Sequence, residues 1–294
     1  MAETCQSLTL VKAWTAARDR LKAAHVDSPV IDARLLVEAA CEATRTDIIT
    51  DPYREVTAAQ QAMLEDYLAR REKREPVSHI LGRKGFWKIM VGVNRDVLTP
   101  RPESEVIVDL ALRAFAEGFH FRVLDLGVGS GAIVLAILAE RPAAKGLGID
   151  ISEEALAVAR DNAAHLGLSN RLALLRGDWT AGLAEDEFDL VVSNPPYIAS
   201  HIIESLEPEV AVHEPRLALD GGPDGLSAYR ALAPEILRVL KPSGIFAVEI
   251  GHDQKADVEA LFKAAGALNV VTIKDLSDKD RVVTGIKNPL ELSH

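Results

Sequence analysis

Hydrophobic positions in the first 75 residues follow the period of a helix. Apolar side chains near the start recur at three- and four-residue steps, as on one helix face: Leu8, Val11, Trp14, Ala17 and Leu21. The Asp27-Ser28-Pro29 stretch is suited to begin a second helix, and Thr57 to cap another that ends before Pro76. The pattern predicts a small helical bundle over residues 1–75.

The pattern changes at residues 76–100. Gly82, Gly85 and Gly92 divide this segment into short apolar runs, which is typical of a hairpin or of two short strands. We therefore expect a β-hairpin linker after the helical region.

From residue 101 onward, short apolar runs alternate with helical patterns. Predicted strands occupy residues 121–126, 145–150, 171–177, 188–194, 244–250, 269–274 and 280–286, and predicted helices occupy residues 103–117, 132–141, 153–167, 226–240 and 253–266. This alternation predicts an α/β fold with a seven-stranded, mostly parallel sheet covered on both faces. Because no helix separates the last two strands, an antiparallel hairpin should close one edge.

Composition narrows the function classes. The 33 basic and 44 acidic residues give a formal charge of −11, which opposes binding to nucleic-acid backbones. Two cysteines, Cys5 and Cys41, indicate neither a disulfide framework nor a metal site and favour a reducing compartment. The chain has neither a signal-peptide core nor the roughly 18 uninterrupted apolar residues of a membrane span. We expect a cytoplasmic protein without a metal or a membrane segment.

Four candidate motifs fall at the carboxyl ends of successive predicted strands. The first is a loop that turns into a helix, formed by Gly127, Val128, Gly129, Ser130 and Gly131. Alternating glycines let a ligand approach the backbone and the free N–H groups of the helix N-terminus. The spacing differs from the dinucleotide fingerprint, and a plain turn that packs helix on strand is the alternative.

The other three motifs are short. Asp150 ends the next strand, where its carboxylate can accept from both hydroxyls of a ribose or cap a helix together with Ser152. Asp178 and Trp179 follow the third strand and can hold an adenine, although a core tryptophan is the simpler interpretation in isolation. Asn194-Pro195-Pro196-Tyr197 ends the fourth strand. Four motifs at the ligand-binding edge of an open α/β sheet predict a site there.

The last motif suits a planar amino group. The side-chain oxygen of Asn194 and the carbonyl of Pro195 can accept the hydrogens of an NH2 group, and the two prolines fix their direction. Tyr197 can pack flat on the planar group. A delocalised nitrogen is a poor nucleophile, so holding its hydrogens helps it to pyramidalise toward a methyl donor. Adenine, cytosine and glutamine all remain candidate acceptors.

The order of these motifs resembles the Rossmann-like class I methyltransferases that use S-adenosylmethionine. The stretches 98–112, 213–232, 248–254 and 275–285 are similar to the peptide-chain release-factor glutamine methyltransferases, as are the helical N-terminal domain and the β linker. Two positions and one stretch depart from the family pattern: Ser104 and Val128 each stand where the family usually has Thr, and residues 86–94 lie where the family's linker is richer in Gly-Phe patterns.

This resemblance implies three segments: a substrate-docking domain (1–75), the linker (76–100) and a methyltransferase domain (101–294). It implies that S-adenosylmethionine is bound by Gly127–Gly131, Asp150, Asp178, Trp179 and Asn194. The implied substrate is the glutamine in the Gly-Gly-Gln loop of class I release factors. The substrate would be held by Asn194, Pro195, Pro196 and Tyr197, with Arg101 and Glu103 at the border of the site or, alternatively, capping the helix that follows.

Several questions stay open from the sequence. A glutamine of a large-subunit ribosomal protein is an alternative substrate, and an adenine-N6 nucleic-acid methyltransferase and a non-catalytic cofactor-binding module are further alternatives. The acidic charge counts against nucleic acid, which would also need its base flipped out. We expect a monomer. The charged run at 69–75 is interpreted first as a solvated helix end and second as a docking surface.

Overall fold

The structure is a computed structural model that describes residues 8–289 and divides into two compact units. The first comprises the described residues up to Gly82 together with the segment Glu207–His213. The second comprises Arg83–Leu206 and the described residues from Glu214 onward. Cys5 lies outside the described residues. Elements are numbered below in chain order.

The first unit is helical, as predicted. Its helices are α1 (Leu10–Ala23), α2 (Pro29–Ala40), α3 (Arg45–Thr50), α4 (Ala58–Glu72), α5 (Val77–Leu81) and the short α9 (Pro208–Ala211). Thr57 caps α4 as expected, because its hydroxyl accepts from the N–H of Gln60. Helix α5 was not predicted: Pro76 begins a new helical turn, which ends at Gly82 in the left-handed conformation. The first seven residues assigned to the β linker therefore belong to the helical unit.

The charged run at 69–75 is not the solvated surface that we expected. Arg71 is buried, and its guanidinium lies 2.8 Å from the carboxylate of Asp32 and 2.8 Å from that of Glu209. Arg74 lies 2.7 Å from the same carboxylate of Glu209. Buried charges persist when they are paired in this way. The run is an ion-pair cluster inside the first unit, which holds the segment Glu207–His213.

The second unit begins with an antiparallel hairpin and continues as an α/β sheet. The hairpin strands are β1 (Arg83–Phe86) and β2 (Ile89–Gly92). The sheet strands are β3 (Arg122–Leu126), β4 (Lys145–Asp150), β5 (Leu172–Arg176), β6 (Phe188–Ser193), β7 (Leu240–Glu249), β8 (Leu268–Lys274) and β9 (Asp280–Ile286). Their order is β5-β4-β3-β6-β7-β9-β8, and within residues 8–289 only β9 runs antiparallel to the other six. The predicted seven-stranded sheet and its closing antiparallel edge are confirmed.

Helices cover both faces of this sheet. They are α6 (Glu105–Ala114), α7 (Ala132–Glu140), α8 (Glu153–His165), α10 (Ser227–Val239) and α11 (Lys255–Ala264). Successive residues of β3 point to opposite faces: Val123 packs with the residues of α6, α7 and α8, and Leu124 with those of α10 and α11. The sheet is therefore buried on both sides, which explains its nearly continuous apolar strands.

Most predicted elements differ from the structure by one or two residues at an end, and two boundaries differ by more. The helix expected at 103–117 is a 3-10 turn, Pro102–Ser104, followed by α6, which ends at Ala114. Strand β7 begins at Leu240, four residues earlier than expected, because Leu240 pairs with Phe188 before an irregularity in the register. Across the described part of the chain, no helix has the length and apolar character needed to cross a membrane.

Candidate active site

The sheet brings all four predicted motifs to one edge. Leu126 at the end of β3 pairs with Ile149 of β4 on one side and with Ser193 of β6 on the other. Asp150 pairs in turn with Arg176 at the end of β5. Strand order reverses between β3 and β6, where open α/β sheets bind ligands. The glycine loop and the Asn194 turn leave the sheet side by side at this point.

The loop after β3 depends on its glycines. Gly127, Gly129 and Gly131 have φ angles of 72°, 52° and 79°, a region that other residues seldom adopt. A Cβ on Gly127 would lie 3.8 Å from the ring of Trp179, so the indole lies close to the loop backbone. The ring therefore packs directly against side-chain-free backbone, and Trp179 and the loop together form one wall of the site.

Asp150 takes part in the helix cap that was weighed from the sequence, and its ribose-binding role stays a prediction. One carboxylate oxygen accepts from the N–H of Gly129 at 2.9 Å, and the other accepts from that of Ser152 at 3.0 Å. Ser152 then caps α8 by accepting from the N–H of Ala155 at 3.1 Å. The carboxylate is thereby fixed against the glycine loop, and its remaining lone pairs can accept from a ligand.

Val128, one of the two departures from the family pattern, is buried against β4. A Cβ on Gly148 would lie only 2.7 Å from a methyl carbon of Val128. The branched side chain is therefore accommodated by the glycine beneath it, and the backbone N–H of Val128 still donates to the carbonyl of Ile149 at 2.9 Å.

Asp125 was not singled out from the sequence. It is buried in β3, and one oxygen accepts from the N–H of Val134 in the first turn of α7 at 3.3 Å, whereas the other has no partner among the described residues. Burial, reinforced by the charge of Asp150, raises the pKa of this carboxyl to about 8. A protonated acid thus lies beneath the glycine loop at neutral pH.

The Asn194 turn is tied to two buried residues that the sequence analysis also missed as site residues. The Nδ2 of Asn194 donates to the hydroxyl of Ser104 at 3.2 Å. Ser104 donates in turn to Oε2 of Glu249, and the hydroxyl of Tyr197 donates to Oε1 of the same carboxylate at 3.3 Å. Burial raises the pKa of Glu249 to about 7 and also raises that of Tyr197. Both residues lie in stretches, 98–112 and 248–254, that resemble the family.

The back of the turn rests on glycine backbone. A Cβ on Gly225 would lie 2.4 Å from the carbonyl oxygen of Tyr197, and one on Gly221 would lie 2.9 Å from that of Pro196. Gln254 donates from Nε2 to the carbonyls of Tyr197 at 3.0 Å and Gly225 at 3.2 Å. The direction of the turn is therefore fixed from behind by the segment that precedes α10.

A cavity of about 320 Å³ opens at this edge of the sheet. Nine of the predicted site residues line it: Gly127, Val128, Gly129, Ser130, Asp150, Asp178, Trp179, Asn194 and Pro196. Apolar side chains complete its wall, among them Phe86, Val97, Leu98, Ile133 and Leu217. A mostly apolar cavity with a few fixed polar groups is typical of a small-molecule site.

Five predicted site residues do not line this cavity: Gly131, Pro195, Tyr197, Arg101 and Glu103. The ring of Tyr197 packs against the core beneath α10 and α11, so the structure does not place it flat against a group in the cavity. Arg101 lies 2.7 Å from the carboxylate of Glu214, which is buried, and Glu103 is exposed. The substrate contacts predicted for Arg101 and Glu103 stay predictions.

The residues present fit S-adenosylmethionine. Trp179 lines the cavity and can contact a flat base, and the carboxylate of Asp150 in the same cavity suits the hydroxyls of a ribose. Asn194 lines the same cavity.

Comparison with known proteins gives two matching family models. Residues 12–82 match the model described as the PrmC N-terminal domain, and residues 119–286 match that of a methyltransferase domain. The solved structure of a methyltransferase from Pyrococcus furiosus has a similar fold, with a TM-score of 0.51 and 20% identity over 67% of this chain and 88% of that one.

Curated relatives are similar over nearly the full length. The release factor glutamine methyltransferase of Caulobacter vibrioides is 72% identical over 97% of this chain and 99% of its own length. The protein of the same name from Rhodospirillum rubrum is 48% identical over 89% of this chain and 80% of its own length. Identity this high over both units, together with the cavity described above, shows that the chain belongs to the release factor glutamine methyltransferase family.

Proposed function

We propose that this protein transfers the methyl group of S-adenosylmethionine to the side-chain amide nitrogen of the glutamine in the Gly-Gly-Gln loop of class I release factors. The product is N5-methylglutamine. The observation that carries the proposal is that Asn194 lines the same cavity as Gly127, Asp150 and Trp179. Acceptor and donor groups therefore meet at one place.

On the donor side, the chain supplies an aromatic side chain, glycine backbone and a fixed carboxylate. Trp179 and the Gly127 loop line the cavity where the adenine and the methionine part would lie, and Asp150 accepts from the ribose hydroxyls. Bound S-adenosylmethionine supplies an electrophilic methyl group on a sulfonium. The apolar wall excludes water from the reacting atoms, which strengthens the hydrogen bonds inside.

On the acceptor side, Asn194 holds the glutamine amide. Its Nδ2 is engaged by Ser104, so Oδ1 is the atom that accepts a hydrogen from the glutamine NH2. The carbonyl of Pro195 is the predicted second acceptor. Transfer forms a nitrogen–carbon bond, breaks a sulfur–carbon bond and releases one proton from the nitrogen. Tyr197 acts by anchoring the turn to Glu249, which revises the stacking role expected from the sequence.

The test is a transfer assay with labelled S-adenosylmethionine. A purified class I release factor, the same factor with its Gly-Gly-Gln glutamine replaced, ribosomes and DNA are offered separately. We expect label only on the intact release factor, at that glutamine by mass spectrometry. Label confined to a ribosomal protein or to DNA would overturn the proposal.

A variant tests the role of the acceptor residue. Asn194→Ala should abolish transfer while calorimetry finds the affinity for S-adenosylmethionine nearly intact, because the donor is proposed to be held mainly by Gly127, Asp150 and Trp179. Asn170→Ala, at an exposed asparagine, is the matched control and should retain full activity. Equal loss of donor binding in Asn194→Ala would contradict the role given to this side chain.

A further inference from the structure

Four side chains form a continuous hydrogen-bonded network that begins at Asn194, the residue proposed to bind the glutamine amide. It runs from Asn194 Nδ2 to Ser104 Oγ, from Ser104 to the carboxylate of Glu249, and from the hydroxyl of Tyr197 to the same carboxylate. Ser104 is 2% exposed and Glu249 is 1% exposed. Because both are removed from solvent, water does not compete for these contacts.

We propose that Ser104 and Glu249 are positioning residues that orient the side-chain amide of Asn194, so that its oxygen rather than its nitrogen faces the glutamine. This inference rests on the proposed function, and it adds two residues to the acceptor site. Ser104 also lines the cavity, whereas Glu249 lies behind it. They act through Asn194.

The direction of the network follows from the number of hydrogens available. An ionised Glu249 can only accept, so the single hydrogen of the Ser104 hydroxyl is committed to it. The oxygen of Ser104 can then only accept from Asn194, and the group of Asn194 that donates is Nδ2. Oδ1 must therefore point away from Ser104. A protonated Glu249 can itself donate to Ser104, which frees the serine hydrogen to bind Oδ1 and permits the opposite amide orientation.

The groups around Glu249 set the balance between these two states. Arg281 on β9 favours the ionised form, whereas Glu103 before α6 and burial oppose it. Tyr197 and Ser104 both donate to the carboxylate, and the hydroxyl of Tyr229 on α10 donates to the backbone carbonyl of Glu249 at 2.9 Å. The pKa of Glu249 is raised to about 7, so the orienting charge is present above this pH and lost below it.

The experiment compares Ser104→Ala, Ser104→Thr and Glu249→Gln with the unaltered protein in the release-factor assay. Ser104→Ala and Glu249→Gln should each lower kcat by about 10- to 100-fold, because a preorganised acceptor loses its fixed direction. The affinity for S-adenosylmethionine should be unchanged. Ser104→Thr keeps the hydroxyl and should restore kcat. Since the two residues act in series, the double variant Ser104→Ala/Glu249→Gln should be no worse than the poorer single variant.

A pH profile separates orientation from a merely structural role. In the unaltered protein, kcat should fall as the pH drops through about 7. This decrease of kcat at acidic pH should be absent in Glu249→Gln. It should be retained in the control variant Glu140→Gln, which removes a carboxylate paired with Lys88 at the far end of α7. Circular dichroism checks that each variant is folded.

The outcomes distinguish the two proposals. If the unaltered protein transfers no methyl group to a release factor, the proposed function fails and this inference fails with it. If the unaltered protein does transfer the methyl group, but Ser104→Ala and Glu249→Gln keep both its kcat and its decrease of kcat at acidic pH, only the positioning role is refuted.

Discussion

Replacing Gly225 by alanine perturbs the support behind the Asn194 turn without touching the cavity. Gly225 has a φ of +76°, and an added Cβ would lie 2.4 Å from the carbonyl oxygen of Tyr197. Ordinary contact begins near 3.4 Å, so the two backbones must separate by about 1 Å. The hydrogen bond from Gln254 to the Tyr197 carbonyl, now 3.0 Å, lies in the path of this movement.

Two terms set the expected cost in stability. An alanine in the left-handed region costs about 1–2 kcal/mol. Overpacking against a backbone carbonyl adds about 1–3 kcal/mol. Gly118→Ala is a matched control, because Gly118 has a φ of +82° and nothing within 4 Å of its added Cβ. Gly118→Ala should therefore show only the cost of the left-handed conformation. The difference in stability between the two variants then gives the cost of the contact with the Tyr197 carbonyl.

Urea unfolding followed by circular dichroism measures the stability difference, and the transfer assay measures its consequence. Moving catalytic groups by about 1 Å can cost about 100-fold in rate. We expect Gly225→Ala to lower kcat by about that factor with little change in donor affinity, and Gly118→Ala to keep full activity. If Gly225→Ala is no less stable than Gly118→Ala and keeps its kcat, then the turn is not held by this contact.

Three further variants test other parts of the structure. Asp125→Asn removes a carboxyl whose pKa is about 8 in the folded protein and 3.8 in the unfolded one. The Asp125 carboxyl therefore contributes stability at low pH that is lost as the pH rises through about 8. Denaturant titrations should therefore show a weaker pH dependence in this variant, and an unaltered slope would contradict the burial argument. Gly148→Ala should lower the affinity for S-adenosylmethionine in calorimetry, because its Cβ would push on the side chain of Val128 and thereby shift the glycine loop to which Val128 belongs. Undiminished binding would contradict this prediction. Asp32→Ala should destabilise the first unit by about 1–3 kcal/mol, since it removes one of the two carboxylates paired with the buried Arg71 while Glu209 still compensates its charge, and a loss near zero in urea unfolding would contradict the buried pairing.

Local patterns in the sequence determined most of the architecture of the second unit. The strands over Lys145–Asp150 and Asp280–Ile286 were predicted to the residue, and the other predicted elements were displaced by a few residues at their ends. Periodicity reports which side of an element is buried, which is enough to order strands and helices. Because motifs at the ends of parallel strands necessarily share one edge, the cavity-lining positions of Gly127, Asp150 and Asn194 were also predictable.

Local pattern was less informative where short elements or paired charges decide the structure. Helix α3 has no buried residue and thus no apolar stripe to reveal it, although its capping box at Thr44 and Asp47 was available as a signal. A charged run at a helix end predicts a solvated surface on average. Arg71 departs from that average only because Asp32 and Glu209, distant in sequence, surround it.

Only the tertiary structure decided how the site is held. Ser104 and Glu249 are 145 residues apart, and each alone has the sequence pattern of an ordinary buried polar residue. Tyr197 was expected to pack on the planar group of the ligand, but its hydroxyl donates to Glu249 and its ring packs against the core. The chain specifies locally which residues are buried and where each strand ends. Which buried groups meet depends on packing between distant segments, and no periodicity along the sequence records that.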